Sequence, residues 1–329
     1  MNLRFNDREI RNAARFNRLL RLLPRYHTDR RINARVIQGL LRAWDAIPRP
    51  FASSDDLRIE DREIPSQGRP LRLRLIVPKT PPRGLYLTFH GGAWVMGTPR
   101  ADDPINKTIA EGCGVVVASV DHHLAHDDRL HLAIADSRRA AEWTWLAAQE
   151  FKVERIIVGG QSSGAHLAAC ALLHLRDLEK TAAQGEPARL AGAVLFYGAY
   201  DMAGSPGLRR SSPRAPLIDG QAAYRNLLRL TPGLSDAERR DPQLSPLYAD
   251  LAGLPPALFI AGELDPVFDD SVRMAERWND ANANARFIPV PQGVHGFDRL
   301  PLAIAGKVHA HVRETMRQWL QPDEPRSSP

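Results

Sequence analysis

The chain has 329 residues, of which 43% are hydrophobic and 25% charged, as is ordinary for a soluble globular protein. Two cysteines exclude a disulfide-stapled scaffold, and strand-sized apolar runs exclude a membrane-spanning segment. The net charge of +6 is local, because residues 1–50 hold twelve arginines against four acids, a net of +8, and the remainder carries −2. The positive charge near the N-terminus predicts either solvated arginines on amphipathic helices or a contact with an anionic surface. We expect no nucleic-acid partner.

Two helices are predicted near the N-terminus. Asn6 and Glu9 have the spacing of a capping pair, and this first helix should stop near Leu23, before a proline. Thr28 can cap the second helix. The apolar residues of this second helix share one face: Ile32, Val36, Ile37, Leu40, Leu41 and Trp44.

Short apolar runs that alternate with helical stretches predict a mostly parallel sheet covered on both faces. The predicted strands lie at 72–77, 85–89, 115–120, 155–158, 192–197, 257–261 and 286–290. The segment His90-Gly91-Gly92-Ala93-Trp94 follows the second of these strands. Glycines at that place let backbone N–H groups turn outward and approach a ligand closely, as an oxyanion requires.

A serine between two glycines follows the strand at 155–158, in Gly160-Gln161-Ser162-Ser163-Gly164, and a helix-forming run comes next. A serine on a sharp strand-to-helix turn needs small neighbours on both sides, because the backbone is strained and crowded there. The pattern therefore predicts a nucleophile elbow at Ser162.

Two later strand-and-loop units supply an acid and a base. Asp265 follows the strand at 257–261, and His295 follows the strand at 286–290. The order Ser162, Asp265, His295 is the one that α/β-hydrolases use. Asp265 is the expected acid because the proline after it suits the first position of a helix. The other acids nearby are Glu263, Asp269 and Asp270.

From about Gly84 to the C-terminus, the sequence resembles the hormone-sensitive-lipase-like group of α/β-hydrolase esterases. Four motifs carry the resemblance: His90-Gly91-Gly92-Ala93-Trp94, Gly160-Gln161-Ser162-Ser163-Gly164, Asp265-Pro266 and His295-Gly296-Phe297. The resemblance implies the α/β-hydrolase fold, with Ser162 as nucleophile, His295 as general base and acid, and Asp265 as the orienting carboxylate. It also implies an oxyanion hole formed by the N–H groups of Gly92, Ala93 and Ser163, in a loop shaped by Gly91.

Some positions depart from the family pattern. Ala93 replaces the third glycine of the family's HGGG, Gln161 stands where aspartate is usual, and Ser163 stands where alanine is usual. Where the family typically reads V-D-Y-R-L-A-P-E, three positions have become histidine: His122, His123 and His126.

The histidines open a second hypothesis, a metal site. Imidazoles and carboxylates of the types that suit Zn²⁺ lie close together in this run: His122, His123, His126, Asp127, Asp128 and His131. The alternative is a loop whose imidazoles hydrogen-bond to the backbone and to nearby carboxylates.

The resemblance also implies a helical cap over the active site. We expect residues 1–50 to form one cap segment, 51–199 and 249–320 the core, and 200–248 a cap insertion with helical character from Gln221 to Leu230. Residues 321–329 are expected to be a disordered tail. In the cap, the stripe Ile32, Val36, Leu40 and Trp44 would cover an acyl site while the arginines face water.

The sequence thus predicts a serine carboxylesterase of short-to-medium acyl esters that needs neither cofactor nor metal. Lactone and amide substrates would share every motif. The alternatives are a metal-dependent hydrolase that uses the histidines and a non-catalytic binding protein, although such proteins usually lack a triad member. We expect a cytoplasmic protein without stable membrane insertion, whose partner is a small-molecule ester. A homodimer remains open.

Overall fold

A single sheet organises the described part of the chain. The computed structural model describes residues 3–23, 25, 27, 29–47, 56–66, 68–126, 129–181, 188–212 and 215–322. The strands are β1 Leu57–Ile64, β2 Leu71–Pro78, β3 Gly84–Phe89, β4 Val115–Asp121, β5 Arg155–Gln161, β6 Arg189–Phe196, β7 Ala257–Gly262 and β8 Ala285–Val290. Their order is β1-β2-β4-β3-β5-β6-β7-β8. The strand β2 alone runs opposite to the other seven strands, so the prediction of a mostly parallel sheet is confirmed.

The strand β1 was not predicted. Its sequence, LRIEDREI, has apolar residues at both ends and charged residues through the middle, and only Leu57 and Ile64 are buried. As an edge strand it pairs with β2 alone. A half-exposed edge strand needs no continuous apolar run, so hydrophobic patterning does not mark it.

Helices cover both faces of the sheet. They are α1 Asp7–Leu20, α2 Arg31–Ala46, α3 Asp103–Cys113, α4 Leu130–Glu150, α5 Ser163–Thr181, α6 Pro206–Arg209, α7 Gly220–Leu230, α8 Asp236–Arg239, α9 Phe268–Asn282 and α10 Ala303–Trp319. Side chains alternate between the two faces along a strand. Val116 therefore belongs to the core layer that includes residues of α4, α5 and α9, whereas Val115 and Val117 belong to the layer that includes residues of α1, α3 and α10.

The N-terminal helices differ from the prediction in one important respect. Asn6 and Glu9 form the predicted capping box, and α1 ends at Leu20, slightly earlier than expected. The stripe on α2, however, does not cover a site: Ile32, Val36, Leu40 and Trp44 are 74%, 58%, 64% and 60% exposed. The buried residues of α2 are Ala34 and Gln38. The expectation that the stripe faces inward is therefore wrong.

The segment between β6 and β7 carries α6, α7 and α8. The helix predicted from Gln221 to Leu230 is α7, which begins one residue earlier. Both cysteines, Cys113 and Cys170, are buried and unpaired. Within the described ranges, no helix has the length and apolarity that crossing a bilayer would take. Predictions on Thr28 and on residues 323–329 lie outside the described residues.

Candidate active site

Ser162 lies between the end of β5 and the start of α5, with a positive φ of 55°. L-residues seldom adopt this conformation. The flanking glycines make the tight turn possible: a Cβ on Gly160 would lie 2.4 Å from the Gly164 carbonyl oxygen, and one on Gly164 would lie 2.1 Å from that of Phe89. Ser162 therefore lies on a sharp turn from strand to helix, which is the geometry that the elbow prediction requires.

The three predicted triad side chains form one chain of hydrogen bonds. The Ser162 hydroxyl donates to His295 Nε2 at 2.9 Å, and His295 Nδ1–H donates to Asp265 Oδ2 at 2.7 Å. The other carboxylate oxygen of Asp265 accepts the N–H of Val267 at 2.9 Å. An ionised carboxylate only accepts, so the contact at Nδ1 fixes the tautomer that leaves Nε2 as an acceptor toward Ser162.

The other acids near Asp265 are engaged elsewhere or face solvent. Glu263 is exposed. Asp269 accepts the N–H of Gly207, and Asp270 accepts the N–H groups of Tyr200 and Asp201. The proline after Asp265 lies two residues before the start of α9, so it does not occupy the first helical position as predicted.

The loop after β3 turns sharply beside Ser162. Gly92 has a φ of 130°, and Ala93 and Trp94 have φ values of 54° and 62°. A Cβ on Gly92 would lie 2.0 Å from the Met96 carbonyl oxygen, so only glycine fits there. A Cβ on Gly91 would lie 3.0 Å from the carbonyl oxygen of the residue before Ser162. Because glycine has no Cβ, this loop can lie close to the elbow.

The amides proposed from the sequence as oxyanion donors are available. In the part of the chain that the structure describes, the N–H groups of Gly92, Ala93 and Ser163 donate to no other protein group. Ser163 opens α5, where the first N–H groups of a helix have no partner within it. Gly92 and Ala93 also line a cavity that contains Ser162 and His295.

Two contacts that the sequence did not predict hold this loop in place. Asn226 of α7, which is buried, donates to the Ala93 carbonyl at 3.2 Å. The Trp94 indole donates to His166 Nδ1 at 3.2 Å, and His166 Nε2–H donates to the Leu244 carbonyl at 2.7 Å. Burial lowers the pKa of His166 to about 4, so the ring is neutral and can accept from Trp94. The segment between β6 and β7 therefore supports the loop directly.

Two cavities of unequal size open at Ser162 and His295. The smaller has a volume of about 50 Å³ and an apolar wall formed by Trp94, Ala199, Leu208, Ala223, Leu227 and Val267. The larger has a volume of about 360 Å³ and includes Ile37 and Leu41 of α2, with Met96, Ala101 and Tyr197. Ile218 lines both cavities. The helix α2 thus contributes to the wall of the site through Ile37 and Leu41, two residues of the predicted apolar face. The four residues expected to cover the acyl site, Ile32, Val36, Leu40 and Trp44, are exposed instead.

A polar network borders the larger cavity. Arg299 donates to Asp102 at 2.6 Å and to Gln161 at 3.3 Å, and Asp102 raises the pKa of the Arg299 guanidinium. Gln161, which departs from the family's aspartate, therefore accepts a hydrogen bond beside the elbow. The Tyr197 ring lies against the His295 ring, with 4.8 Å between their centroids.

The histidine cluster does not converge on one point. The His122 ring stacks on that of His90, with 4.2 Å between centroids, and burial lowers the pKa of His122 to about 3 and that of His90 to about 4. His123 donates from Nδ1 to the buried Asp136 at 2.7 Å, and His126 lines a cavity of about 900 Å³ that His122 also borders.

His122 Nδ1–H also donates to the His123 carbonyl at 2.9 Å, so the cluster matches the alternative of imidazoles bonded to backbone and carboxylate. Among the described residues, no group of three or more His, Cys, Asp or Glu side chains is placed to hold a metal ion. Asp127 and Asp128, which belonged to the metal hypothesis, lie outside them.

Comparison with known proteins agrees with this geometry. The profile of a family described by its alpha/beta hydrolase fold matches residues 86–299. The chain is 31% identical over 267 residues to the carboxylesterase NlhH of Mycobacterium tuberculosis, covering 78% of this chain and 81% of that protein. It is 28% identical over 259 residues to an arylesterase of Saccharolobus solfataricus, covering 77% of this chain and 79% of that protein.

Among solved structures, a bacterial heroin esterase superimposes with a TM-score of 0.81 at 25% identity, covering 96% of this chain and 98% of that one. These matches confirm the resemblance to hormone-sensitive-lipase-like esterases that the four motifs carry. The chain therefore belongs to the α/β-hydrolase family.

Proposed function

We propose that this protein is a serine carboxylesterase that works through an acyl-enzyme intermediate. The observation that carries the proposal is the chain of hydrogen bonds from Ser162 through His295 to Asp265. At its Ser162 end are the N–H groups of Gly92, Ala93 and Ser163, which donate to no protein group among the described residues. A neutral hydroxyl attacks an ester carbonyl poorly, so it needs a base within hydrogen-bond reach.

In the first half-reaction, His295 takes the proton of Ser162 as the serine oxygen attacks the carbonyl carbon. Asp265 holds the imidazole in the required tautomer and stabilises the imidazolium that forms. His295 then gives this proton to the leaving alkoxide, and the alcohol departs. The 2.9 Å and 2.7 Å contacts of His295 support these roles.

Negative charge develops on the carbonyl oxygen during each attack. The N–H groups of Gly92, Ala93 and Ser163 would stabilise it, and the removal of one such donor typically costs about 3–4 kcal/mol. The Cβ of Ala93 does not prevent the turn of this loop, since the Ala93 backbone adopts a positive φ of 54°. In the second half-reaction, His295 takes a proton from water as the water oxygen attacks the acyl carbon, and then returns this proton to the Ser162 oxygen as the acid departs.

The cavities support a shape for the substrate. An ester has two arms that diverge from the carbonyl carbon, and the cavities of about 50 Å³ and 360 Å³ both open at Ser162. We therefore propose esters with one short arm and one longer apolar arm. The names of the relatives, a carboxylesterase, an arylesterase and a heroin esterase, support ester hydrolysis as the reaction class.

The test is hydrolysis of a panel of esters with increasing acyl length, each offered with a small and a bulky alcohol, together with one lactone and one amide. We expect activity on esters with one short arm, loss of activity in Ser162→Ala and near-normal activity in the neighbouring control Ser163→Ala. A chelator should have no effect. Full activity in Ser162→Ala, or recovery by Zn²⁺ after chelation, would overturn the proposal.

A further inference from the structure

The outward side of α2 is apolar and exposed. Ile32, Val36, Leu40 and Trp44, spaced four residues apart, form a continuous line that we call the apolar ridge. Each of these four side chains is more than half exposed. In the described part of the chain, the exposed large hydrophobic residues other than Leu146 all lie from residue 19 to residue 47.

The orientation of α2 is fixed by contacts on its opposite side. The Gln38 carboxamide donates to the Gly97 carbonyl at 3.2 Å and accepts the Gly97 N–H at 2.7 Å. Ile37 and Leu41 meanwhile line the larger cavity at Ser162. Turning the apolar ridge inward would break both Gln38 contacts, so the exposure of the ridge belongs to the fold.

Positive charge accompanies the apolar ridge. The exposed residues Arg31, Arg35 and Arg42 share one flank of α2. On that side begins a cavity of about 900 Å³ whose lining holds six arginines and three aspartates. Because residues 1–50 carry +8 and the remainder −2, the positive charge is concentrated on this part of the chain. Such an asymmetry orients a protein toward an anionic partner.

Two kinds of partner could cover the apolar ridge. A second copy of the chain would bring one arginine-flanked helix against another, and like charges would oppose that contact. An anionic lipid surface fits both features, since apolar side chains and tryptophan enter the interface while arginines bind the phosphates of the headgroups. We propose that α2 docks this protein on anionic phospholipid membranes, with the apolar ridge in the interface.

Docking would also place the larger cavity close to the lipid, because α2 forms part of its wall. Any effect of this placement on ester hydrolysis rests on the proposed function, whereas docking itself does not. Vesicle binding measured without substrate therefore keeps the two proposals separate.

The experiment is flotation of the full-length protein with vesicles of phosphatidylcholine alone or mixed with phosphatidylglycerol, at low and high salt. We expect binding to the mixed vesicles only, weakened by salt. Ile32→Ser with Leu40→Ser should weaken binding by roughly a hundredfold. The triple variant Arg31→Gln, Arg35→Gln, Arg42→Gln should lose roughly tenfold to a hundredfold at low salt. Leu146→Ser, an exposed apolar residue on α4, is the matched control and should bind normally.

Circular dichroism and the melting temperature establish that each variant is folded. Three outcomes would overturn the proposal. The first is no binding of the unaltered protein to vesicles that contain phosphatidylglycerol, and the second is equal binding by all variants. The third is a dimer in sedimentation that becomes a monomer in the double variant Ile32→Ser, Leu40→Ser. The last outcome would assign the apolar ridge to a second copy of the chain.

Discussion

Gln38 and Gly97 exchange a pair of hydrogen bonds that connects the N-terminal helix α2 to the loop beside the candidate nucleophile. Gly97 has a φ of 114°, and a Cβ there would lie 2.4 Å from His90 Nδ1 and 2.5 Å from the Gly91 carbonyl oxygen. Gly97 thus packs against the loop after β3 on one side and binds α2 on the other. The position of α2 is thereby coupled to the shape of the site.

The first prediction follows from this contact. Gln38→Ala leaves the Gly97 N–H without its partner and loosens α2 over the larger cavity. We expect KM for esters with a long apolar arm to rise by roughly tenfold, while esters with two short arms change little, because only the longer arm reaches Ile37 and Leu41. Steady-state kinetics on matched short and long esters make the comparison. Equal losses on both esters would mean that Gln38 supports general folding rather than this wall.

The second prediction concerns the acid. Asp265→Asn should reduce kcat by about 10⁴, as in the best-studied triad, because His295 loses the acceptor that sets its tautomer. Glu263→Gln is the matched control, since this exposed acid lies two residues away on the same loop. It should keep near-normal turnover. A large loss in Glu263→Gln with a near-normal Asp265→Asn would reverse the assignment.

The third prediction tests whether the two cavities hold different arms of the ester. Ala223→Leu adds volume to the wall of the smaller cavity and should restrict the short arm of the ester to the smallest groups. Ile37→Trp fills the larger cavity and should lower kcat/KM for long-armed esters by roughly tenfold, while short esters are retained. Kinetics on an ester series varied in one arm at a time provide the measurement. If both variants affect the same arm, the cavities do not hold separate arms.

Much of this site could be predicted because its geometry is local. The elbow follows from Gly160 and Gly164 on either side of Ser162, where any Cβ would collide with backbone. The order of strands and loops then brings Asp265 and His295 to the same edge of the sheet, since the ends of parallel strands meet there. No long-range information was needed for these three side chains.

The parts that were not predicted depend on distant contacts. Arg299 and Asp102 are 197 residues apart, so nothing in the sequence joins them. Periodicity identified the apolar face of α2, yet the buried face is the one that carries Gln38, because a specific contact with Gly97 sets the rotation of the helix. Ligand types made the histidine run resemble a metal site, whereas His122 in fact stacks on His90, from the end of a neighbouring strand.

The fourth prediction is a pH dependence of stability. Burial raises the pKa of Asp270 to about 7 from a usual value near 3.8. Between these values the unfolded chain loses the proton while the folded chain keeps it, so this residue lowers stability increasingly as pH rises from about 4 to about 7. Above that window the cost is constant, on the order of 4 kcal/mol.

Asp270→Asn cannot ionise, so its melting temperature relative to the unaltered protein should rise from pH 4 to pH 7 and then level off. Melting curves across this range measure the effect. Asp280→Asn, an exposed position on the same helix, is the control and should track the unaltered protein at every pH. A difference for Asp270→Asn that does not vary with pH would show that Asp270 is ionised throughout.

The most direct test of the proposed chemistry is covalent labelling with a fluorophosphonate, followed by intact mass and fragment mapping. A serine activated by His295 should take one adduct, located on Ser162, and Ser162→Ala should take none while Ser163→Ala is labelled normally. The adduct should also form far more slowly in His295→Ala, because the hydroxyl then lacks its base. Labelling on Ser163, or an adduct that persists in Ser162→Ala, would contradict the assignment of Ser162 as the nucleophile.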